Sequence, residues 1–220
     1  ERALRQRAED LGMLSAGLAH EIRNALATIT GYLRLLPEAG EAKRAQYIAT
    51  ANDEASGLVQ LLERFLTLTQ PHTLARAPVR LDEVVREAVR RVKVSFPGAQ
   101  FTINGTQVTV DGDALTLGIA AENLLRNAAE AVGSPSAAIE VSIEANEAVA
   151  RVVVADRGPG VSDEILDTLF LPFSSSKPSG GLGLALARRF CRLHGGDVRH
   201  EPRPGGGALF VFEVPLRGAP

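Results

Sequence analysis

The chain has one cysteine, Cys191, one methionine, two tyrosines and no tryptophan among its 220 residues. A single thiol excludes an internal disulfide framework and a cysteine-based zinc site, and it suits a reducing compartment. Neither sign of charge dominates, since 24 Lys and Arg stand against 26 Asp and Glu, a net charge of −2. Phosphate binding normally shows as a basic excess, so nucleic acid is not expected as a partner. No apolar run approaches the roughly 18 residues that span a bilayer, and the N-terminus lacks a signal-peptide pattern. The expected setting is the cytoplasm, with no membrane contact by this stretch, whether or not a longer protein is anchored. Glu1 falls inside a charged helical pattern, which reads as the C-terminal part of something longer. Apolar residues are plentiful: 45% hydrophobic against 23% charged excludes disorder by composition. The length suits two modules of about 70 and about 140 residues.

Residues 1–36 contain few breakers, and Leu11, Leu14, Leu18, Ile22, Leu26, Ile29, Leu33 and Leu36 recur at threes and fours. This spacing predicts one long amphipathic helix. Pro37 and Gly40 punctuate the chain, and a second stripe runs through Ile48, Ala51, Ala55, Leu58, Leu62, Phe65 and Thr69. Two such helices joined by a short turn make an antiparallel hairpin over 1–70. A lone hairpin leaves part of its apolar surface uncovered, so a homodimer closing a four-helix bundle is expected. Residues 71–80 contain Pro71 and Pro78 without periodicity and read as a linker. Beyond it, over 81–220, the texture alternates. Leu81 to Val94, Asp113 to Val132 and Leu182 to Leu193 read as helices. Gln100 to Asn104, Val108 to Val110, Ile139 to Ile143, Arg151 to Ala155 and Ala208 to Val214 read as strands. Helices on one side of a mixed sheet, an α/β sandwich, is the architecture implied.

Four places carry chemistry beyond packing. His20 lies two residues from both Leu18 and Ile22, hence about 160–200° round the helix from each, and points away from the apolar stripe. Asn24 shares that outer face, and Glu21 is placed to orient the imidazole or accept its proton. Taken alone, His20 reads first as an ordinary surface histidine. Asn123 and Asn127 stand at i and i+4 on one helix face, and their carboxamide oxygens suit a hard cation such as Mg²⁺; a solvated polar face is the alternative. Asp156 closes an apolar strand, where a buried acceptor takes a hydrogen bond from an adenine amino group. Gly158 and Gly160 let the backbone come close to base and ribose, although such spacing also occurs in plain turns. Phe170 and Phe173 precede Ser174, Ser175, Ser176 and Lys177, a polar run suited to a lid whose lysine reaches phosphates. The cluster Gly180-Gly181-Leu182-Gly183 opens a helix, where free N–H groups form an anion site. No P-loop motif occurs, and no βαβ unit frames the glycines.

The order and spacing of these motifs together resemble a two-component sensor histidine kinase over nearly the whole chain. Leu18-Ala-His-Glu-Ile-Arg-Asn-Ala looks like the H box, Glu122 to Ala131 the N box, Asp156 to Gly160 the G1 box, Leu169 to Phe173 the F box, and Gly180 to Leu184 the G2 box. The Ala-His-Glu-Ile-Arg-Asn and Asn-Leu-Leu-Arg-Asn-Ala-Ala-Glu-Ala stretches are similar to the nitrogen-regulation subgroup. The resemblance implies a dimerisation and phosphotransfer hairpin followed by an ATP-binding domain of the Bergerat fold, shared with gyrase and Hsp90-type chaperones. It implies ATP and Mg²⁺ as cofactors and a response-regulator receiver domain as partner. Residue by residue, His20 becomes the phosphoacceptor, Glu21 its base, and Asn24 the residue that positions water for hydrolysis of the regulator's phospho-aspartate. Asn127 becomes the Mg²⁺ ligand and Asn123 a neighbouring phosphate or metal contact. Asp156 reads adenine, Gly181, Leu182 and Gly183 form the phosphate-facing turn, and Lys177 is a lid contact.

Three positions depart from the family pattern. Ala25 stands where proline usually follows Asn24, which removes the usual cause of a helix kink. The lid between Lys177 and Gly181 is about one residue short, and Glu130 replaces a basic residue of many relatives. The implied function is ATP-dependent autophosphorylation of His20 and transfer to a regulator aspartate, with phosphatase activity alongside. The alternative is a phosphatase-dominant or pseudokinase signalling module with weak autokinase activity. A Bergerat ATPase acting on water would need a glutamate base at position 123, where Asn123 stands.

Overall fold

The computed structural model describes residues 2–133, 138–174 and 181–216, with side chains from residue 14 onward. The chain divides into two compact units. One comprises Glu1–Gln70 with Leu171–Leu182, the other Pro71–Phe170 with Gly183–Pro220.

In the first unit α1 (Arg2–Leu35) and α2 (Glu41–Thr69) form the expected hairpin. The turn is closed by Arg44, whose guanidinium donates to the carbonyls of Leu36 at 3.1 Å and Pro37 at 3.4 Å, satisfying acceptors that the helix end leaves open. Tyr32 and Tyr47 meet across the helices with ring centroids 5.4 Å apart. Helix α1 runs unbroken through Ala25, as the missing proline implies. Ala25, Ala51 and Leu61 are buried between the helices, whereas Leu26, Leu33, Ile48, Leu62 and Leu66 are exposed on the single chain. Leu171–Leu182 groups with this hairpin and not with the module to which sequence order assigns it. Phe173 accounts for this: its ring occupies the space that a Cβ at Gly17 would need.

The second unit is an α/β sandwich. Its sheet has the order β2-β4-β5-β7-β6, made of β2 (Gln100–Gly105), β4 (Ala138–Ala145), β5 (Val149–Ala155), β7 (Ala208–Pro215) and β6 (Asp197–Pro202). Strands β2 and β4 are parallel; the other pairs are antiparallel. Register aligns one buried row through Ile143, Val152, Phe212 and Val198, and the next through Val141, Val154, Phe210 and His200. Against these rows pack α4 (Ala114–Val132) and α5 (Gly183–Leu193), while α3 (Leu81–Ser95) packs on α4. The other face of the sheet is polar, with Arg151 on Glu213 at 2.6 Å and Arg203 on Glu140 at 2.7 Å. Alternation of buried and polar positions along each strand therefore sets which face carries the helices.

The elements differ from expectation in three places, one of them β6, over which the sequence reading placed no strand. Residues 77–80, read as linker, form β1 (Ala77–Arg80), which pairs antiparallel with β3 (Thr109–Gly112) in a separate two-stranded sheet. Strands β2 and β3, read as two short strands around Gly105, belong to different sheets. At the end of β2, Thr106 donates to the carbonyl of Ile143, so the chain is tied to β4 before it turns away.

Candidate active site

Helix α1 presents His20 and Asn24 on its exposed face, with Glu21 half-buried beside them and Ala25 buried behind. The outward placement follows from the apolar spacing that buries the opposite side.

In the second unit α4 begins at an N-cap, where Asp113 Oδ1 accepts from the N–H groups of Leu115 at 2.9 Å and Thr116 at 3.2 Å. It ends at Gly133 in the left-handed region, φ 59°. The face between carries Asn123 and Asn127, both half-buried. Asn123 Nδ2 donates to the carbonyl of Ile119 at 2.8 Å, and its Oδ1 lies 3.0 Å from where a Cβ on Gly183 would stand. Glycine at 183 thus lets the first turn of α5 close on Asn123. The opening turn of a helix and a carboxamide oxygen stand side by side, the kind of groups that suit phosphates and a hard cation. Glu122 and Arg126 pair at 3.0 Å on the adjoining face.

Asp156 follows β5 and is fully buried. Its Oδ1 accepts from Gly158 N at 2.8 Å and Ala208 N at 3.3 Å. Its Oδ2 is buried and has no hydrogen-bond partner among the described residues. A buried carboxylate oxygen without a donor is costly, and it is an acceptor open to the N–H of a ligand. Beside Oδ1 the chain is close-packed: a Cβ on Gly158 would meet Ala131 Cβ and Asp156 Oδ1, each at 2.9 Å. Gly160 adopts φ 81° and turns the chain back toward Gly207. Thus Asn123, Asn127, Asp156, Gly158, Gly160 and Gly183 are brought together in one unit. Gly181 has φ 61° and Leu182 is fully buried. Lys177 lies outside the described residues, as do Ser175, Ser176 and Gly180; Ser174 is half-buried.

Reading along the chain missed several groups. His194, taken as the residue before a helix stop, is 1% exposed; its Nδ1 lies 2.8 Å from the Phe190 carbonyl and its Nε2 accepts from Asp113 N at 3.0 Å. Burial lowers its pKa, outweighing the Phe190 carbonyl, Asp113 and Asp111, which raise it. His200, which showed no partner spacing, packs on Phe210 at 5.4 Å, and its Nε2 is buried without a partner among the described residues. Burial lowers this histidine too, against the pull of Asp156 and Glu201. Arg188 lies over the Phe170 ring at 4.8 Å and donates to Asp197 at 2.8 Å. None of these pairs has a spacing that marks it in sequence.

Two family models match this arrangement. Residues 10–74 match the His Kinase A (phospho-acceptor) domain, and residues 112–218 match the histidine kinase-, DNA gyrase B- and HSP90-like ATPase. The chain belongs to the two-component sensor histidine kinases. It is 33% identical over 219 residues to the sensor histidine kinase ZraS of Klebsiella oxytoca, covering 94% of this chain and 46% of that protein. The chain spans about half the length of the curated relatives it matches first. Among solved structures it is similar to histidine kinase ThkA in complex with the response regulator TrrA, at 26% identity and TM-score 0.84, covering 98% of this chain and 65% of that one. It is also similar to full-length ShkA in complex with AMPPNP, at 25% identity and TM-score 0.66, covering 94% of this chain and 46% of that one. The second unit is thus the ATP-binding domain of a histidine kinase.

Proposed function

We propose that this chain is the catalytic core of a sensor histidine kinase that phosphorylates His20 with ATP and passes the phosphoryl group to an aspartate of a response-regulator receiver domain. The observation that carries the reading is Asp156 Oδ2, a buried acceptor with no donor among the described residues, in the unit that matches the ATPase family. In this reading Asp156 accepts from the adenine amino group, and Gly158 and Gly160 leave room for base and ribose. Asn127, with Asn123 beside it, holds Mg²⁺, which supplies charge neutralisation between phosphates. Gly181, Leu182, Gly183 and Lys177 contact the phosphates, the glycines by backbone approach and the lysine by charge.

His20 acts as the nucleophile. One ring nitrogen attacks the γ-phosphorus of ATP, the bridging P–O bond breaks, and ADP leaves; Glu21 takes the proton from the other ring nitrogen. The phosphoryl group on imidazole stays reactive, and a carboxylate oxygen of the regulator displaces His20 from it. Asn24, exposed one turn further along α1, orients water for the reverse, dephosphorylating activity on the regulator. Residues 1–70 form the dimerising, phosphate-accepting hairpin, 71–80 the joint and 81–220 the catalytic domain. The exposed leucines of α1 and α2 close a four-helix bundle with a second copy. Relatives support the partner and the nucleotide: ThkA is seen with a response regulator and ShkA with AMPPNP.

Incubation with γ-labelled ATP tests the reading. Acid-labile, alkali-stable label on the wild type, lost in His20→Gln while ATP binding persists, is the expected outcome. Acid-stable label, or label retained in His20→Gln, contradicts it.

A further inference from the structure

Asp156 takes its two donors from segments far apart in sequence. Gly158 N belongs to the loop 157–160, and Ala208 N opens β7, where the turn from β6 delivers it. Both donate to the same oxygen, Oδ1. The turn and the loop touch backbone to backbone. A Cβ on Gly207, which has φ 97°, would collide with the Asp156 carbonyl oxygen and Arg157 Cα, and a Cβ on Gly160 would stand 3.1 Å from the Gly207 carbonyl oxygen. The turn begins at Arg203, whose carbonyl accepts from Gly206 N at 3.2 Å. The Arg203 side chain is 8% exposed, and its guanidinium reaches β4, where Nη2 donates to Glu140 Oε1 at 2.7 Å. The same carboxylate oxygen lies 3.6 Å from Arg157 Nη2 on the loop. Glu140 itself stands opposite Ala155, the residue before Asp156, across the β4–β5 pair.

The two ion pairs of Glu140 differ in weight. Glu140 and Arg157 are each more than half exposed, and water leaves such a pair little net strength. Arg203 is a cation taken out of water, and its Nη1 is buried with no partner among the described residues. Among those residues Glu140 alone accepts from this guanidinium. A buried ion pair adds little to stability once desolvation is counted; its best-attested use is to fix one arrangement over another. Here the arrangement it fixes is that of the turn which carries Ala208.

We infer that Arg203 is a positioning residue for adenine recognition: anchored on Glu140, it holds the β6–β7 turn against the 157–160 loop and so keeps the Ala208 N–H on Asp156 Oδ1. A carboxylate with both donors on one oxygen cannot rotate without losing one of them, so its other oxygen, Oδ2, has a fixed direction. With the Ala208 donor displaced, Gly158 N holds the group alone, and Oδ2 loses that direction. The adenine amino group then meets an acceptor that must be ordered at the moment of binding. This inference rests on the reading of Asp156 as the adenine acceptor, whose failure shows separately below.

Arg203→Met in the 220-residue chain is the selective test, read with Mg-ATP and with Mg-inosine triphosphate, whose base carries a carbonyl where adenine carries its amino group. Methionine fills the space of the buried stem, and Glu140 keeps water and Arg157, so the melting temperature is expected to hold or rise. ATP affinity by titration calorimetry is expected to fall about threefold to tenfold, the worth of about one net hydrogen bond, with affinity for inosine triphosphate unchanged. Glu140→Ala strands the buried guanidinium and so lowers the melting temperature, yet it is expected to shrink the preference for ATP in the same way. Opposite shifts in melting with one shift in preference are what a merely structural role does not give. The inference is overturned if Arg203→Met keeps the wild-type preference for ATP over inosine triphosphate. An equal fall in affinity for both nucleotides also overturns it, since that assigns Arg203 to the general shape of the pocket. A wild type that binds both nucleotides equally overturns the adenine reading of Asp156 and this inference with it, whereas a wild-type preference left intact in both variants overturns this inference alone.

Discussion

The two units solve the burial problem differently. The α/β unit encloses rows of Ile, Val, Phe and Leu between sheet and helices, and Leu117, Leu124, Phe190 and Phe212 have no exposed surface at all. The hairpin buries little besides Ala25, Ala51 and Leu61 among its described residues and leaves Leu33 at 51% and Leu62 at 46% exposure. A domain with its own core stands alone; a two-helix hairpin with an open leucine face needs another surface. The difference separates the roles. In the proposed reading the first unit is the one shared between copies and with a regulator, and the second the one that holds the nucleotide.

The largest effect that can break this comparison is on association. Replacing Leu33 and Leu62 by glutamate removes the burial of two leucines, about 3–6 kcal/mol, so the dimer dissociation constant rises a hundredfold or more in equilibrium sedimentation. Thermal scans should show an α/β unit whose unfolding does not depend on protein concentration. A monomeric wild type at micromolar concentration removes the shared-hairpin half of the account.

Next in size is nucleotide recognition. Asp156→Asn keeps an oxygen for Gly158 N and Ala208 N but offers a donor where Oδ2 stood. ATP affinity should fall about 10- to 100-fold by titration calorimetry, while melting of the free protein shifts little. Unchanged affinity means adenine is read elsewhere.

The smallest effect sharpens the contrast through pH. Burial first and foremost lowers His194 and His200, both in the α/β unit. A histidine whose folded pKa lies below its unfolded value of about 6.5 leaves stability complete above that value. As pH falls below it, the unfolded chain takes up the proton first, and stability declines. Calorimetric scans between pH 7 and pH 5 should therefore show the α/β transition weakening, and His194→Gln should flatten the slope.

How much was legible in sequence depended on whether partners were near. The helices were plain because Leu18, Ile22 and Ile29 recur on a 3.6-residue period, and Asp156, Gly158 and Gly160 stood out as a contiguous motif, whereas the bond from Ala208 N to Asp156, 52 residues on, has no local signal. Strand β1 was hidden because Pro78 interrupts any alternation and its partner β3 lies some thirty residues on. That β2 and β3 part company was hidden, because β2 pairs in parallel with β4, across α4. The Asp113–His194 bond joins residues 81 apart, and no local pattern reports such a bond. Asp113 looked like a helix cap, which it is; that its second oxygen holds Ala75 needed coordinates.

The most direct measurement is to locate the transferred phosphoryl group itself. Wild-type protein is incubated with Mg-ATP, digested at neutral pH and mapped by mass spectrometry, with ³¹P NMR on the intact sample to assign the bond. The account predicts one phosphoramidate, on the peptide containing His20, absent when Asp156→Asn lowers ATP occupancy at limiting nucleotide. Phosphate found on a hydroxyl or carboxyl side chain, or released only as inorganic phosphate, contradicts it.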